Sequence, residues 1–171
     1  MKLAIFDYDG TLFPMDTLPF LMAEWRREGR SLRRLLAAYA SVGSLLVGYK
    51  LGIACGRSRE MLHRMALQRV TRLFAGMSET EVSAFLKRNA ERMAPLLRPS
   101  VLAELRLAQQ QGYHTVLLSG TYETLMQHVG AIIGIDTAIG TALRYKNGIV
   151  DVERELDVVC GNDKVERLIA A

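Results

Sequence analysis

Residues 2–12 read KLAIFDYDGTL, and this stretch decides the fold because it joins a short apolar run to two carboxylates. The uncharged run at 3–6 predicts a strand buried on both faces, as in a parallel sheet covered by helices. Asp7 then stands at the carboxyl end of that strand, the edge at which open α/β sheets bind ligands. Gly10 permits a sharp turn or a close approach to a bound group. The stretch therefore predicts an α/β fold with a reactive site at its start.

The two acids suit phosphoryl transfer. A carboxylate that attacks phosphorus forms an aspartyl-phosphate and divides one hard displacement into two easier ones, and Asp7 is the candidate nucleophile. Asp9 is the candidate general acid and base, which protonates the leaving oxygen and later deprotonates water. Because carboxylate and phosphate repel each other, the scheme requires a hard cation, and Mg²⁺ is the expected cofactor.

The spacing alone leaves a second interpretation equally open. An Asx-turn after a strand would explain one aspartate and the glycine without any chemistry. A calcium loop of the EF-hand type is excluded, because that pattern needs a third acidic or amide residue before the glycine and a later glutamate. The rest of the chain has to decide between a turn and a reactive site.

Three segments together resemble the haloacid dehalogenase (HAD) superfamily of phosphohydrolases. Phe6–Leu12 resembles its first motif, Thr115–Thr121 is similar to its second motif, a strand that ends in Ser or Thr, and Cys160–Leu168 resembles the third motif of the phosphoserine-phosphatase-like branch. The segments occur in the family's order. The resemblance implies a HAD-like Rossmann-type three-layer core with an inserted helical cap, and Mg²⁺-dependent hydrolysis of a small phosphomonoester.

Residues of the second and third motifs also have physical features that suit phosphate binding. The apolar run before Ser119 predicts a strand, and residues 120–129 predict a helix, so Ser119 and Gly120 would bind phosphate at a helix N-terminus. The alternative is that Ser119 only caps this helix. Lys164 lies near the start of a last helix, where a cation is unfavourable. A phosphate or the Asp7 carboxylate would compensate it.

The family's fourth motif, an acidic cluster after a further strand, has no counterpart in this sequence. The resemblance implies that Asp7, through its side chain, and Asp9, through its backbone carbonyl, would remain as metal ligands. Asn162-Asp163, beside Lys164, is a poor substitute for the missing acidic cluster. Without the further strand, the strand that carries Asp7 would have an unpaired edge, which is a liability, and a homodimer paired through that edge is a hypothesis. A chain without the fourth motif could also be a phosphate-binding or regulatory module, or a fragment of a longer enzyme.

The pattern of apolar residues predicts a helix-rich insertion at residues 17–99. The resemblance implies that this insertion is a helical cap and that residues 1–16 and 100–171 form the core. Ser78 followed by Glu81 predicts a capping box. Asn147-Gly148 predicts a hairpin that extends the sheet. The cap is predicted to contain four helices, at 18–28, 32–49, 58–74 and 79–96.

Charge follows the same division. Residues 17–99 contain 15 Lys and Arg against 6 Asp and Glu, whereas the whole chain has a net charge of only +4. A basic cap would attract a small phosphorylated metabolite, and a solvated basic face is the alternative. Nucleic acid is not expected, because the cap has few aromatic residues for base stacking.

The nearly uncharged stretch 35–55 is diluted by glycine and serine, so we do not expect it to span a membrane, and peripheral attachment is the alternative. Cys55 and Cys160 have no metal-binding or redox spacing and are expected to be reduced, buried thiols of a cytoplasmic protein. Asp7 and Asp9 interrupt the N-terminal apolar run, so no secretory signal is expected.

Overall fold

The computed structural model describes residues 2–51, 58–161 and 163–170. Cys55 and Asn162 lie outside the described residues. The elements in chain order are β1 (Leu3–Asp7), α1 (Thr17–Arg27), α2 (Leu32–Lys50), α3 (Arg59–Thr71), α4 (Glu79–Met93), α5 (Pro99–Gln110), β2 (His114–Tyr122), α6 (Glu123–Ile133), β3 (Thr137–Thr141), β4 (Tyr145–Lys146), β5 (Ile149–Val150) and α7 (Asp163–Ala170).

A parallel sheet in the order β1-β2-β3 forms the centre of the fold. Parallel neighbours need crossover connections, which the helices before β2 and between β2 and β3 provide. In the register of β1 and β2, Asp7 lies beside Leu118. Both strands therefore deliver polar residues to the same edge of the sheet. This arrangement confirms the predicted α/β class.

Helices cover both faces of the sheet. Leu117 belongs to the large apolar core that includes Leu125 and Val129 of α6. Its neighbours Val116 and Leu118 point the other way and pack in a smaller cluster, against which Leu168 of α7 lies. Successive residues of a strand face opposite sides of its sheet, so the uninterrupted apolar run of β2 is explained by two covering layers.

The prediction that β1 is buried on both faces is wrong. Leu3 and Ile5 expose 42% and 48% of their surface, respectively. Within the described part of the chain β1 pairs only with β2, so it is an edge strand. Its apolar run therefore reflects one buried face. The predicted unpaired edge is present.

The four helices predicted between the first and second motifs are found as α1 to α4; the ends of α1 and α2 differ from the prediction by at most one residue, and α3 and α4 are shorter than predicted. The third and fourth predicted helices each finish in a 3-10 turn, at Arg72–Phe74 and Ala94–Leu96. The capping box is confirmed, because Ser78 and Glu81 exchange side-chain and backbone hydrogen bonds. The division into core and cap at 17 and 99 stays a prediction, since the apolar core runs continuously from these helices to the sheet.

The Asn147-Gly148 hairpin is confirmed, but it does not extend the main sheet. Asn147 and Gly148 have φ angles of 53° and 76°, the left-handed pair that a tight hairpin turn requires. The β4–β5 ribbon is a separate two-stranded sheet. Glu79 donates its backbone N–H to the Gly148 carbonyl, and Val150 donates to Met77. The hairpin thus docks on the start of α4.

No helix within the described ranges is long and apolar enough to cross a membrane. Cys160 is a free, buried thiol, as predicted. Burial raises its pKa, and the neighbouring Arg64 guanidinium opposes that increase.

Candidate active site

Asp7 ends β1 with its carboxylate held by two donors. Lys164 Nζ donates to Oδ1 at 2.8 Å, and Thr11 Oγ1 donates to Oδ2 at 3.1 Å. The Asp7 side chain is nevertheless 46% exposed, and that of Lys164 is 31% exposed. The carboxylate is therefore oriented by the protein and open to a molecule arriving from solvent.

Tyr8 anchors the turn between the two acids. Its side chain is buried, its hydroxyl donates to Met93 Sδ at 3.2 Å, and its ring stacks on Phe13 at 5.5 Å between centroids. Gly10 has a φ angle of 75°, which favours glycine. The chain can then fold back, with Leu12 N–H donating to the Asp7 carbonyl. Tyr8 faces the core, while the acids on either side of it face the site.

The Asp9 carboxyl is the better enclosed of the two. Its Oδ1 accepts hydrogen bonds from Thr17 N–H at 2.7 Å and from Thr17 Oγ1 at 2.5 Å, and its Oδ2 accepts one from Ser119 Oγ at 3.3 Å. Burial raises the pKa of Asp9 because it disfavours the charged form, while the Thr17 hydrogen bonds and the nearby His63 oppose the increase. A carboxyl with a raised pKa is suited to give a proton.

Ser119 reaches the site from within β2, and the prediction that it stands at a helix start is wrong. β2 continues to Tyr122, which pairs with Thr141 after an irregular stretch, and α6 begins only at Glu123. The β-branched and aromatic residues Thr121 and Tyr122 favour this continued strand. Ser119 Oγ accepts the backbone N–H of Thr121 at 3.2 Å and donates to Asp9. Ser119 therefore lies where predicted, beside the acids, without a helix N-terminus.

Lys164 is brought to Asp7 by the first turn of α7. The preceding residue, Asp163, forms an ion pair with Arg64 of α3. Of the two anions predicted to compensate a cation at this helix start, the structure has the Asp7 carboxylate in place. Lys164 thus contacts Asp7, and Ser119 contacts Asp9, which lies two residues along the chain from Asp7. Gly120 follows Ser119 in β2.

The donor atoms at this edge are hard oxygens. The described ranges contain no group of three His, Cys, Asp or Glu residues arranged to hold a metal. Mg²⁺, however, keeps several waters and is commonly held by one or two carboxylates together with substrate phosphate. The exposed Asp7 carboxylate and the backbone carbonyl of Asp9 are donors of that type, so the residues present fit Mg²⁺ completed by phosphate and water.

Sequence analysis does not identify two residues that lie beside the site, Thr17 and His63. Thr17, the first residue of α1, has no motif that connects it with Asp9, eight residues earlier. His63 of α3 lies against Gly120, and a lone histidine on a helix gives no signal of a site. Only the packing of the inserted helices on the sheet edge brings Thr17 and His63 to the acids.

A basic cleft lies beside the site, between α2, α3 and the segment 155–158. Arg64, Arg69 and Arg72 line it. Arg69 is engaged with the Ser41 carbonyl of α2. Arg64 also pairs with Asp163, the residue before Lys164, so this cleft borders the third motif and carries part of the positive charge predicted for the helical segment.

The family model for haloacid dehalogenase-like hydrolases matches residues 4–171. A search of curated protein sequences gives no significant match.

Several solved structures share the fold. A protein of unknown function from Bordetella pertussis Tohama I matches with a TM-score of 0.75 and 21% identity, over 98% of this chain and 72% of that chain. The HAD family hydrolase t0658 from Salmonella enterica subsp. enterica serovar Typhi matches with a TM-score of 0.66 and 17% identity, over 99% of this chain and 50% of that chain. A phospho-aspartyl intermediate analogue of phosphoserine phosphatase matches with a TM-score of 0.58 and 20% identity, over 99% and 69%. The chain thus spans between half and three quarters of the length of these relatives.

Proposed function

Because the chain belongs to the haloacid dehalogenase-like hydrolase family, we propose that it is a Mg²⁺-dependent phosphatase that hydrolyses a small phosphomonoester through an aspartyl-phosphate on Asp7. The observation that carries the proposal is the pair of contacts at the sheet edge, Lys164 with Asp7 and Ser119 with Asp9. An exposed Asp7 carboxylate is paired with Lys164, and an enclosed Asp9 carboxyl lies two residues away. The exposure of Asp7 supports a role in attack, and the enclosure of Asp9 supports a role in proton exchange.

The two acids have different environments, and this difference assigns their roles. Asp7 attacks phosphorus, the bond from phosphorus to the ester oxygen breaks, and that oxygen takes the proton of Asp9. Water then attacks phosphorus and gives its proton to Asp9. The bond between Asp7 and phosphorus breaks, which releases inorganic phosphate and restores both acids.

The remaining residues bind the phosphoryl group. Lys164 neutralises the charge of the Asp7 carboxylate and of the phosphoryl oxygens, and Ser119 and Gly120 donate hydrogen bonds to those oxygens. Asp7 and the backbone carbonyl of Asp9 would hold Mg²⁺, which would supply further positive charge against the transferring group. One of the solved structures that share the fold is a phospho-aspartyl intermediate analogue of phosphoserine phosphatase, which supports the same chemistry here.

The substrate is a small phosphorylated metabolite, since α1 and α3 contribute Thr17 and His63 beside Asp9 and Gly120, and the positive charge of residues 17–99 favours anions. A cytoplasmic location and the absence of nucleic acid partners belong to the same proposal and rest on the sequence. Pairing of two copies through the free edge of β1 is a separate hypothesis. Sedimentation that detects only monomer would remove it.

Hydrolysis of 4-nitrophenyl phosphate with Mg²⁺ tests the proposal. We expect turnover by the native chain, loss of turnover on removal of Mg²⁺ with a chelator, and no turnover by Asp7→Asn, which lacks the nucleophile. Asp16→Asn is the matched control, because it makes the same chemical change at a nearby surface residue. Equal background rates for the native chain and Asp7→Asn would favour the alternative, a phosphate-binding or regulatory module.

A further inference from the structure

One face of α3 lies over Gly120 of the second motif and Gly161 of the third motif. Glu60, His63 and Arg64 are three and four residues apart, so they share this face. Arg64 pairs with Asp163 at the start of α7. The Glu60 carboxylate lies so close to Gly161 that a Cβ added there would be 2.7 Å from Oε1. These two contacts place the helix against the third motif.

His63 contacts the second motif in the same way, at Gly120. A Cβ added to Gly120 would lie 2.9 Å from His63 Nε2 and 3.3 Å from its Cδ2. The imidazole ring therefore rests directly on the residue that follows Ser119. The glycine is needed here, because any side chain would collide with the ring or with the Val159 carbonyl, 3.0 Å from the added atom.

The ring nitrogen that reaches this position has no protein partner. His63 Nε2 is shielded from solvent, and no hydrogen bond to it occurs among the residues that the structure describes. Buried polar atoms almost always have a hydrogen-bond partner, and each exception calls for an explanation. His63 is also near enough to Asp9 for their electrostatic interaction to oppose the increase in the pKa of that acid. The unpartnered nitrogen thus lies within the electrostatic reach of the site.

We propose that His63 is a substrate-binding residue, whose ring turns away from Gly120 when substrate binds, so that Nε2–H donates a hydrogen bond to a phosphoryl oxygen held beside Ser119 and Gly120. The inference rests on the proposed phosphatase function. It extends the phosphate-binding set from the core strands to the inserted helices. The phosphate then accepts a hydrogen bond from His63, whose Nε2 has no partner among the residues that the structure describes, while Glu60 and Arg64 hold α3 in place.

A purely structural role would be a packing role of the ring on Gly120. Two variants separate the possibilities, because Phe keeps a flat ring without a donor, and Gln keeps an N–H donor without the ring. The matched control is His128→Phe, since His128 bonds to Ser83 between α4 and α6, away from the acids.

The experiment measures binding of inorganic phosphate to the full chain by calorimetry with Mg²⁺, together with the thermal midpoint. We expect His63→Phe to weaken phosphate binding about tenfold and to leave the thermal midpoint unchanged or higher, because a buried unpaired nitrogen is removed. His63→Gln should retain part of the affinity, and His128→Phe all of it. An affinity unchanged in His63→Phe, with a lower midpoint, would establish the packing role and overturn the proposal. So would a native chain that does not bind phosphate.

Failure of the proposed function gives a different result. If the native chain and Asp7→Asn are equally inactive on 4-nitrophenyl phosphate but phosphate binding depends on His63, the phosphatase proposal fails and the binding role of His63 stands for a phosphate-binding module.

Discussion

Thr17 donates both its backbone N–H and its hydroxyl to the same oxygen of Asp9, at 2.7 Å and 2.5 Å. Thr17 is the first residue of α1, so the N-terminus of the first inserted helix is bonded to the proposed general acid. The backbone N–H groups in the first turn of a helix have no partner within the helix, and an acid is favourable there. The acid and the inserted helix therefore position each other.

This relationship predicts that Thr17→Val lowers kcat without unfolding the chain. The hydrogen bond from the hydroxyl is lost, and bonds to a charged group contribute about 1.5–3 kcal/mol, which corresponds to a decrease of about tenfold to a hundredfold. Thr17→Ser keeps the hydroxyl and serves as the control. Rates on 4-nitrophenyl phosphate that are equal for the two variants would show that the hydroxyl does not position Asp9.

Asp9→Asn should separate the two chemical steps. The leaving group of 4-nitrophenyl phosphate departs without a proton, so the first step survives, whereas hydrolysis of the aspartyl-phosphate loses its base. We expect stopped-flow measurements to show a burst of about one nitrophenolate per chain, followed by turnover slower by about a hundredfold or more. A variant that loses the burst together with the turnover would contradict the division of roles between the two acids.

Lys164→Met should lower kcat by about a hundredfold or more, the usual cost of removing a group that stabilises charge in the transition state. The ammonium is 2.8 Å from Asp7 Oδ1, and without it the carboxylate and the phosphoryl group repel each other. Lys164→Arg, which keeps the charge with a different shape, should recover part of the rate. Full activity of Lys164→Met would exclude the proposed role.

The sequence predicts most of this site because each motif is a short, continuous stretch that can be recognised by itself. Asp7 and Asp9 follow an apolar strand, and the second and third motifs supply Ser119 and Lys164, which the structure brings to the acids. The predicted helix after Ser119 starts too early, because pairing of Tyr122 with Thr141 depends on a distant strand. Thr17 and His63 are not predicted for a similar reason. Their importance arises from how α1 and α3 pack on the sheet, and neither residue has a spacing that reveals it.

Gly140 should tolerate no side chain. A Cβ at this position would lie 2.6 Å from Glu123 Cα and 2.9 Å from the Thr121 carbonyl oxygen, and backbone atoms cannot move aside cheaply. Gly140→Ala is therefore expected to lower the free energy of unfolding by about 1–3 kcal/mol or more. Gly43→Ala in α2, where nothing lies within 4 Å of the added atom, should instead stabilise by about 0.5–1 kcal/mol. Denaturant unfolding measures both variants. Similar denaturant midpoints for the two would contradict the close contact of Gly140 with Glu123 and Thr121.

Glu28 should make stability depend on pH. Its side chain is 11% exposed and lies 3.0 Å from Arg88 and from Arg30. Burial raises the pKa of Glu28, but the hydrogen bonds and charges of these arginines outweigh that effect and lower it. A carboxyl with a lowered pKa stabilises the fold above its unfolded value, and this stability is lost as the pH falls through the folded value.

Glu28→Gln should thus reduce the free energy of unfolding by about 1–3 kcal/mol at pH 7, and the difference should shrink as the pH falls below about 4. The exposed Glu104→Gln is the control and should show little change at either pH. A difference between native chain and Glu28→Gln that is the same at both pH values would mean that the charge of Glu28 does not stabilise the contact between α1 and α4.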